Sequence, residues 1–193
     1  ATGTAGPFVV HARLPAPFSG VAPTGGQSYG VFVGTGGQDD YVKLTVAANN
    51  GAGGFAVVHE QAGTPTTITA PGPTWPGPSA VDLYLRVDPG AGTVQASTSI
   101  DGAAPVAVGG PLAVPTSWFS GAIAPAVGII STSAGPAPVF PATWDFLEVQ
   151  PAGGGGAPPS AMIAVGAPGL NSSTFNSGSF RVTNDSPGGQ QIA

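Results

Sequence analysis

The sequence predicts an all-β protein, built as an antiparallel β-sandwich. Several short segments alternate apolar and polar residues, which is the pattern of a strand with one buried face. The 32 glycines and 22 prolines collect between these segments, where they favour turns. No segment longer than about ten residues keeps the helical period of about 3.6 residues. Many short strands separated by such turns indicate two packed sheets.

The order of elements follows from these alternating runs. In residues 81–88 valine or leucine occupies every second position, so the segment predicts a strand with one apolar face. Residues 29–46 predict a hairpin, because two strand-like runs flank a glycine-rich turn. The proline-rich residues 65–79 predict a loop or a polyproline-like edge, because proline lacks the amide donor of a central strand. Further strands are predicted at residues 7–14, 55–60, 93–100, 105–108, 122–130 and 143–149.

Composition divides the chain into three parts. Residues 1–150 hold all of these strands and are long enough for one sandwich domain. Residues 151–159 consist of proline, alanine and glycine, the composition of a linker. Residues 160–193 contain two more strand-like runs but are too short for a core of their own. They are either the truncated start of a second β module or strands that complete a sheet of this domain or of a neighbouring molecule.

Charge and composition exclude several classes of partner. Only 7 % of the residues are charged, against roughly 25 % in an average soluble domain, and the net charge is −5. The four basic residues are scattered, so neither nucleic acid nor a membrane is an expected partner. There is no cysteine, and no apolar run approaches the roughly 20 residues of a membrane span. The polar, weakly charged surface suits a secreted or cell-surface protein, and we expect the chain to be a piece of a longer one.

An ordered set of motifs resembles one large superfamily. The motifs are Tyr29-Gly-Val-Phe-Val-Gly, Asp39-Asp-Tyr-Val-Lys-Leu, Val81-Asp-Leu-Tyr-Leu-Arg-Val-Asp, Val94-Gln-Ala-Ser-Thr-Ser-Ile-Asp-Gly and Thr143-Trp-Asp-Phe-Leu-Glu-Val. In this order they resemble the concanavalin A-like lectins and glucanases, and more narrowly the laminin-G-like jelly-roll modules of large secreted bacterial proteins. The resemblance covers roughly residues 6–150. It implies two curved antiparallel sheets in a jelly roll, frequent glycan binding and often a calcium ion at the rim.

The enzymatic branch of that superfamily has a motif that this chain lacks. Its glucanases carry catalytic carboxylates on one strand, in a Glu-x-Asp-x-Glu or similar motif, because retaining chemistry needs carboxyls about 5–5.5 Å apart. Here Glu60 and Glu148 fall on different predicted strands. Asp145 lies three residues before Glu148, which places the two on opposite faces of a strand. A non-catalytic protein is therefore expected.

Two groups of residues are candidates for binding a glycan. Trp75 lies in the rigid segment Trp-Pro-Gly-Pro and would stack its ring on the C–H face of a sugar. The alternative is that Trp75 folds back and closes the edge of the sandwich. The second group consists of outward-facing cations and rings that would share one sheet face if their strands are neighbours: His11, Arg13, Tyr41, Lys43, Tyr84 and Arg86. The alternative for this group is an ordinary solvated face.

Asp39 and Asp40, in the turn of the hairpin, are the candidate calcium ligands. Calcium prefers hard oxygen donors but takes about six to eight of them, and this turn offers few. The alternative is a turn in which an aspartate side chain hydrogen-bonds to nearby backbone. His11 and His59 are far apart in sequence and do not have the spacing of a metal-binding pair.

The sequence thus favours a non-catalytic, extracellular carbohydrate-binding module of a larger secreted or surface protein, with a polysaccharide or other glycan as its partner. The alternative from another class is a structural subunit of a surface layer, an adhesin or a filament. In that case self-association would use residues 160–193, whose strands would add to a sheet edge of the next subunit.

Overall fold

The computed structural model describes residues 6–120, 125–134 and 139–152. Over these residues the chain forms eleven strands and two short 3-10 turns. In chain order the strands are β1 (Phe8–Leu14), β2 (Gly26–Gly34), β3 (Tyr41–Ala47), β4 (Phe55–Gln61), β5 (Thr64–Ala70), β6 (Val81–Asp88), β7 (Thr93–Ile100), β8 (Val106–Ala107), β9 (Leu112–Ala113), β10 (Ala126–Ala134) and β11 (Phe146–Pro151).

The strands form two antiparallel sheets packed as a sandwich. Sheet A has the order β11-β1-β6-β7-β8, and β9 also pairs with β7. Sheet B has the order β10-β2-β3-β4-β5. This arrangement confirms the predicted fold class and is consistent with a jelly roll of the concanavalin A-like kind. No helix among the described residues is long and apolar enough to span a bilayer.

The core lies between the sheets and follows from the two-residue period of the strands. In β6, Val81, Leu83, Leu85 and Val87 are all fully buried, as the alternation predicts. Their cross-strand partners on β1 include Val10, opposite Leu85, which is also fully buried. Each such side chain contributes roughly 1.5–3 kcal/mol through removal from water, so the paired strands supply much of the stability of the fold.

The predicted hairpin of residues 29–46 is present as β2 and β3. Val42 pairs with Val33 and Leu44 pairs with Val31, and all four side chains are fully buried. Gly30 has no room for a side chain, because an added Cβ would lie 2.1 Å from the backbone oxygen of Leu44. The hairpin is therefore a central part of sheet B.

One prediction about chain organisation needs correction, and one short strand was missed. Residues 64–70 form strand β5, where a loop or polyproline-like edge was predicted. Proline is tolerated there because β5 is the last strand of its sheet among the described residues, so Pro65 needs no donor on its outer side. The two-residue strand β9 was also not predicted. The predicted linker, apart from residues 151–152, and the strands of residues 160–193 lie outside the described residues.

Candidate functional site

The structure divides the predicted polar aromatic surface between two opposite faces of the sandwich. Tyr41 and Lys43 lie on β3, a central strand of sheet B. The other four residues lie on β1 and β6 of sheet A: His11, Arg13, Tyr84 and Arg86. The condition for one shared face, that the strands are neighbours, is therefore not met, because β3 belongs to a different sheet from β1 and β6.

Trp75 is part of the core. Only 4 % of the residue is exposed, and its ring packs edge-on against Phe55 with centroids 6.2 Å apart. Its indole Nε1 donates a 3.2 Å hydrogen bond to the backbone oxygen of Gly54. Burial of the ring contradicts the prediction that Trp75 offers a stacking surface to a sugar. The alternative that the sequence left open, a tryptophan folded back onto the sandwich, is what the structure contains.

Asp39 and Asp40 lie in the loop between β2 and β3 and hydrogen-bond to the turn between β4 and β5. The Oδ1 atom of Asp40 accepts a 3.0 Å hydrogen bond from the backbone amide of Ala62, and the backbone oxygen of Asp39 accepts one from Gly63. The described residues contain no group of three or more histidine, cysteine, aspartate or glutamate side chains placed to hold a metal ion. Calcium at this corner therefore stays a prediction.

The outer face of sheet A is held together by His11. Its Nδ1 lies 2.9 Å from Oε1 of Glu148 on β11, and its Nε2 lies 2.9 Å from Oδ1 of Asp82 on β6. Both contacts are hydrogen bonds when both ring nitrogens carry a proton. The imidazole also stacks on Tyr84 at 4.3 Å between centroids, with an interplanar angle of 19°. One side chain thus ties three neighbouring strands together.

Arg13, on the same face, is also paired within the molecule. Arg13 Nη1 lies 3.6 Å from Oδ2 of Asp82, and Arg13 Nε lies 3.9 Å from Oδ2 of Asp145. Burial raises the pKa of the Tyr84 hydroxyl, and the negative charge of Asp82 raises it further. Most polar groups of this face are therefore already occupied by one another, which leaves few of them for a ligand.

The outer face of sheet B has a different character. Residues opposite one another on its five strands form rows, and every second row points away from the core. Where small side chains meet across β2, β3 and β4, the surface sinks into a depression of about 210 Å³, which we call the sheet B hollow. Its lining consists of Gly26, Ser28, Lys43, Thr45, Ala47, Asn49, Ala56, Val58 and Thr132.

Two aromatic rings lie beyond the hollow on the side of Lys43. Phe32 is the cross-strand partner of Lys43, and Tyr41 follows in the next row as the partner of Glu60. A Cβ added at Gly128 would lie 2.7 Å from Cε1 of Phe32, so the ring of Phe32 lies against the glycine of the neighbouring strand. Both aromatic residues are partly exposed. They extend the hollow into a surface that is partly apolar.

The charges next to the hollow are few and partly desolvated. The Tyr41 hydroxyl donates a 2.6 Å hydrogen bond to Oε2 of Glu60, and Lys43 Nζ lies 5.7 Å from the centroid of the Tyr41 ring. Burial lowers the pKa of Lys43, an effect that the negative charge of Glu60 partly offsets. Burial also raises the pKa of Tyr41, and the hydrogen bond to Glu60 raises it further. A cation and a neutral phenol therefore stand side by side.

A second depression, of about 350 Å³, lies at the hairpin of β4 and β5. It is lined by His59, Gln61, Ala62, Thr64 and Thr66. The His59 ring packs edge-on against the buried Trp118, and burial lowers the pKa of the imidazole. This depression has no charged side chain in its lining and is formed by one hairpin, so it offers fewer contacts to a ligand than the sheet B hollow.

Sequence reasoning identified only part of the sheet B surface. It named Tyr41 and Lys43, whose outward position follows from the alternation of β3. It did not name Phe32, Glu60 or the hydroxyls of Ser28, Thr45 and Thr132 as parts of a binding surface. The alternation of β2 places Phe32 outward, between the buried Val31 and Val33, and this signal was available in the sequence.

Comparison with known proteins adds information about the fold. No protein-family model matches the chain, and no curated protein is similar to it in sequence. Among solved structures it is similar to the xylan beta-1,4-xylosidase from Bacillus halodurans C-125, with a TM-score of 0.55 and 17 % sequence identity. The match covers 75 % of this chain and 27 % of the xylosidase chain, so this chain corresponds to about a quarter of that enzyme's length. At this identity the likeness shows the sandwich fold alone.

Proposed function

We propose that the chain is a non-catalytic carbohydrate-binding module, resembling the laminin-G-like jelly rolls, of a larger secreted or surface protein of bacterial type. A polysaccharide or other glycan binds at the outer face of sheet B, in and beside the sheet B hollow. The similar sandwich in a xylan beta-1,4-xylosidase supports a connection with carbohydrate, since that protein's name states its action on a polysaccharide. The site itself rests on the geometry of sheet B.

The observation that carries this proposal is the combination of groups around the hollow. Sugars offer hydroxyls to polar side chains and C–H faces to aromatic rings. The hollow is lined by the hydroxyls of Ser28 and Thr132. It is also lined by Thr45 and Asn49, whose side chains already donate hydrogen bonds to backbone oxygens. The partly exposed rings of Phe32 and Tyr41 lie in the adjoining rows of the same face. Elongated glycans suit such a surface because the rows extend across several strands.

The arrangement of carboxylates supports a non-catalytic role. Glu60 is hydrogen-bonded to Tyr41 and is the one carboxylate in the outward rows of sheet B that the described residues contain. On sheet A, Asp82 and Glu148 are separated by the His11 ring, which bonds to both. Glycosidases need two carboxyl groups that face the scissile bond with substrate between them, and here an imidazole fills the space.

A binding experiment with variants on the two opposite faces tests the proposal. The chain is mixed with insoluble and soluble polysaccharides, and binding is measured by pull-down and then by calorimetry. We expect Phe32→Ala to weaken binding about five- to tenfold, as loss of one stacking ring worth roughly 1–1.5 kcal/mol implies. Tyr84→Ala is the matched control, since it removes a ring from the outer face of sheet A. Equal effects of the two variants, or no binding of any polysaccharide, would contradict the proposal.

Calcium at Asp39 and Asp40 belongs to the same proposal as a rim site. The loop between β2 and β3 joins the strands that carry Phe32 and Lys43, so a bound ion there would hold one end of the binding surface. Thermal unfolding with calcium and with a chelator tests this point. If calcium leaves the melting temperature unchanged in both the parent chain and Asp40→Asn, the two carboxylates stabilise the turn and do not bind the ion.

A second candidate, a structural or assembly subunit, is favoured by the edge strand β5. Its seven residues contain no charge, and four of them are threonines. Most of these residues are exposed, and β5 is the edge of sheet B among the described strands. An uncharged, exposed edge is suited to adding a strand from another molecule. Light scattering across a concentration series distinguishes the candidates, because a monomer at all concentrations excludes assembly through this edge.

A further inference from the structure

Lys43 is a partly buried cation without a counter-ion among the described residues. The ion pairs in the described part of the chain all lie on the outer face of sheet A, and they involve His11 and Arg13. Arg86 is also outside these pairs, but its side chain is exposed and solvated. Lys43 differs because it lies on a central strand, with neighbours on both sides, and is only partly exposed.

The carboxylate on the neighbouring strand β4 is already engaged. Glu60 accepts a short hydrogen bond from the Tyr41 hydroxyl, and it is not within ion-pair distance of Lys43. Removing a charge from water without a partner costs free energy, and burial accordingly lowers the pKa of Lys43. A ligand that brings a negative charge to Nζ offsets this cost. A neutral ligand does not.

The size and lining of the hollow restrict the ligand further. About 210 Å³ is less than the roughly 300–1,000 Å³ of pockets that enclose a drug-sized molecule, so the hollow admits one small group or ring of a longer ligand. The lining contains one cation and neutral polar side chains, of which the Thr45 hydroxyl and the Asn49 amide already donate to backbone oxygens. A single positive charge amid neutral polar groups matches a ligand that carries one negative charge and several hydroxyls.

We propose that the sheet B hollow recognises an acidic sugar residue of a glycan, a uronic acid, whose carboxylate pairs with the Lys43 ammonium. The sugar hydroxyls bond to the hydroxyls of Ser28 and Thr132 in the lining. This inference rests on the proposed function and names the class of glycan that the site selects. Polyanions such as nucleic acid, which need several cations, do not fit a face with one lysine.

The test compares one polysaccharide with its own carboxyl-reduced form, so that the two ligands differ in charge and not in linkage. Calorimetry on the full chain should give about tenfold tighter binding of the acidic form in 50 mM salt. This preference should shrink in 500 mM salt, because screening weakens a partly exposed ion pair. Lys43→Gln should abolish the preference, so that the acidic and the reduced form bind with equal affinity. Lys43→Arg should retain it, and Arg86→Gln, on the opposite face, is the matched control.

The outcomes separate this inference from the proposed function. Equal affinity for the acidic and reduced forms, or a preference that survives Lys43→Gln, overturns the inference while the carbohydrate-binding function stands. If neither the acidic nor the reduced form binds, across several polysaccharide classes, the proposed carbohydrate-binding function is overturned. If Lys43→Gln does not fold, the comparison of the two ligands on the unmodified chain still tests the inference, because equal affinity would overturn it.

Discussion

Replacing Trp75 with alanine should destabilise the fold strongly and leave glycan binding of the folded protein unchanged. The indole is 4 % exposed, packs against Phe55 and donates a hydrogen bond to Gly54. Truncation of a buried tryptophan to alanine costs about 3–5 kcal/mol, because it removes apolar contacts and leaves a cavity. This is a large part of the roughly 5–15 kcal/mol by which domains are stable.

The expected change in melting temperature follows from that free energy. For a chain of about 150–250 residues, each kcal/mol shifts the melting temperature by roughly 2–4 °C, so Trp75→Ala should lower it by roughly 6–20 °C. Trp75→Phe is the graded control. It keeps an aromatic ring against Phe55 but removes the donor to the backbone oxygen of Gly54, and should cost about 1–3 kcal/mol.

Circular dichroism during heating and during urea unfolding measures these stabilities. Pull-down at a temperature well below the transition of each variant then measures binding. The reasoning is refuted by a variant Trp75→Ala that melts like the parent chain but no longer binds polysaccharide. Such a result would mean that the indole turns outward and forms the stacking surface for which the sequence made Trp75 a candidate.

Two further predictions concern pH. Burial and the Glu60 hydrogen bond raise the pKa of Tyr41 in the folded chain, so its contribution to stability is complete below the unfolded value of about 10 and is lost as the pH rises further. The urea concentration at the midpoint of unfolding should therefore fall between pH 9 and 11. Tyr41→Phe should reduce this fall. The same fall in Tyr41→Phe as in the parent chain would contradict this account. Burial lowers the pKa of His59, so its contribution is present above the unfolded value of about 6.5 and is lost as the pH falls through the lower, folded value. His59→Gln should lose less stability than the parent chain between pH 7 and pH 5. A parent chain that is equally stable at both pH values would show that the imidazole is not desolvated.

Much of the fold is readable from the sequence because it depends on local alternation. The two-residue period in β1, β6 and β7 marks the buried face whatever sheet the strand joins, and the register of these strands pairs buried with buried residues. The edge strand β5 was not predicted because proline argues against a strand in general, whereas Pro65 needs no outer partner at an edge. That distinction depends on where the strand lies in the sheet.

The candidate site was harder to predict because it depends on which strands are neighbours. Alternation shows that Tyr41 and Tyr84 both point outward, but it does not show that β3 and β6 belong to different sheets. The sheet B hollow arises where Ser28, Thr45 and Ala56 meet across three strands, and none of these residues is unusual in its own segment. Burial of Trp75 similarly requires Phe55, twenty residues earlier, to lie beneath it.

The two outer faces lead to one conclusion about where a ligand binds. On sheet A, His11 and Arg13 are paired with carboxylates of the same face, and a ligand would have to displace these contacts. On sheet B, Lys43 keeps its charge in a partly desolvated position without such a pair, beside a depression lined by small polar side chains. Binding gains most where a charged group is positioned but has no ion pair, as Lys43 is, because no internal ion pair is lost on binding. By this criterion the outer face of sheet B is the binding face, and the outer face of sheet A serves chiefly to hold β11, β1 and β6 together.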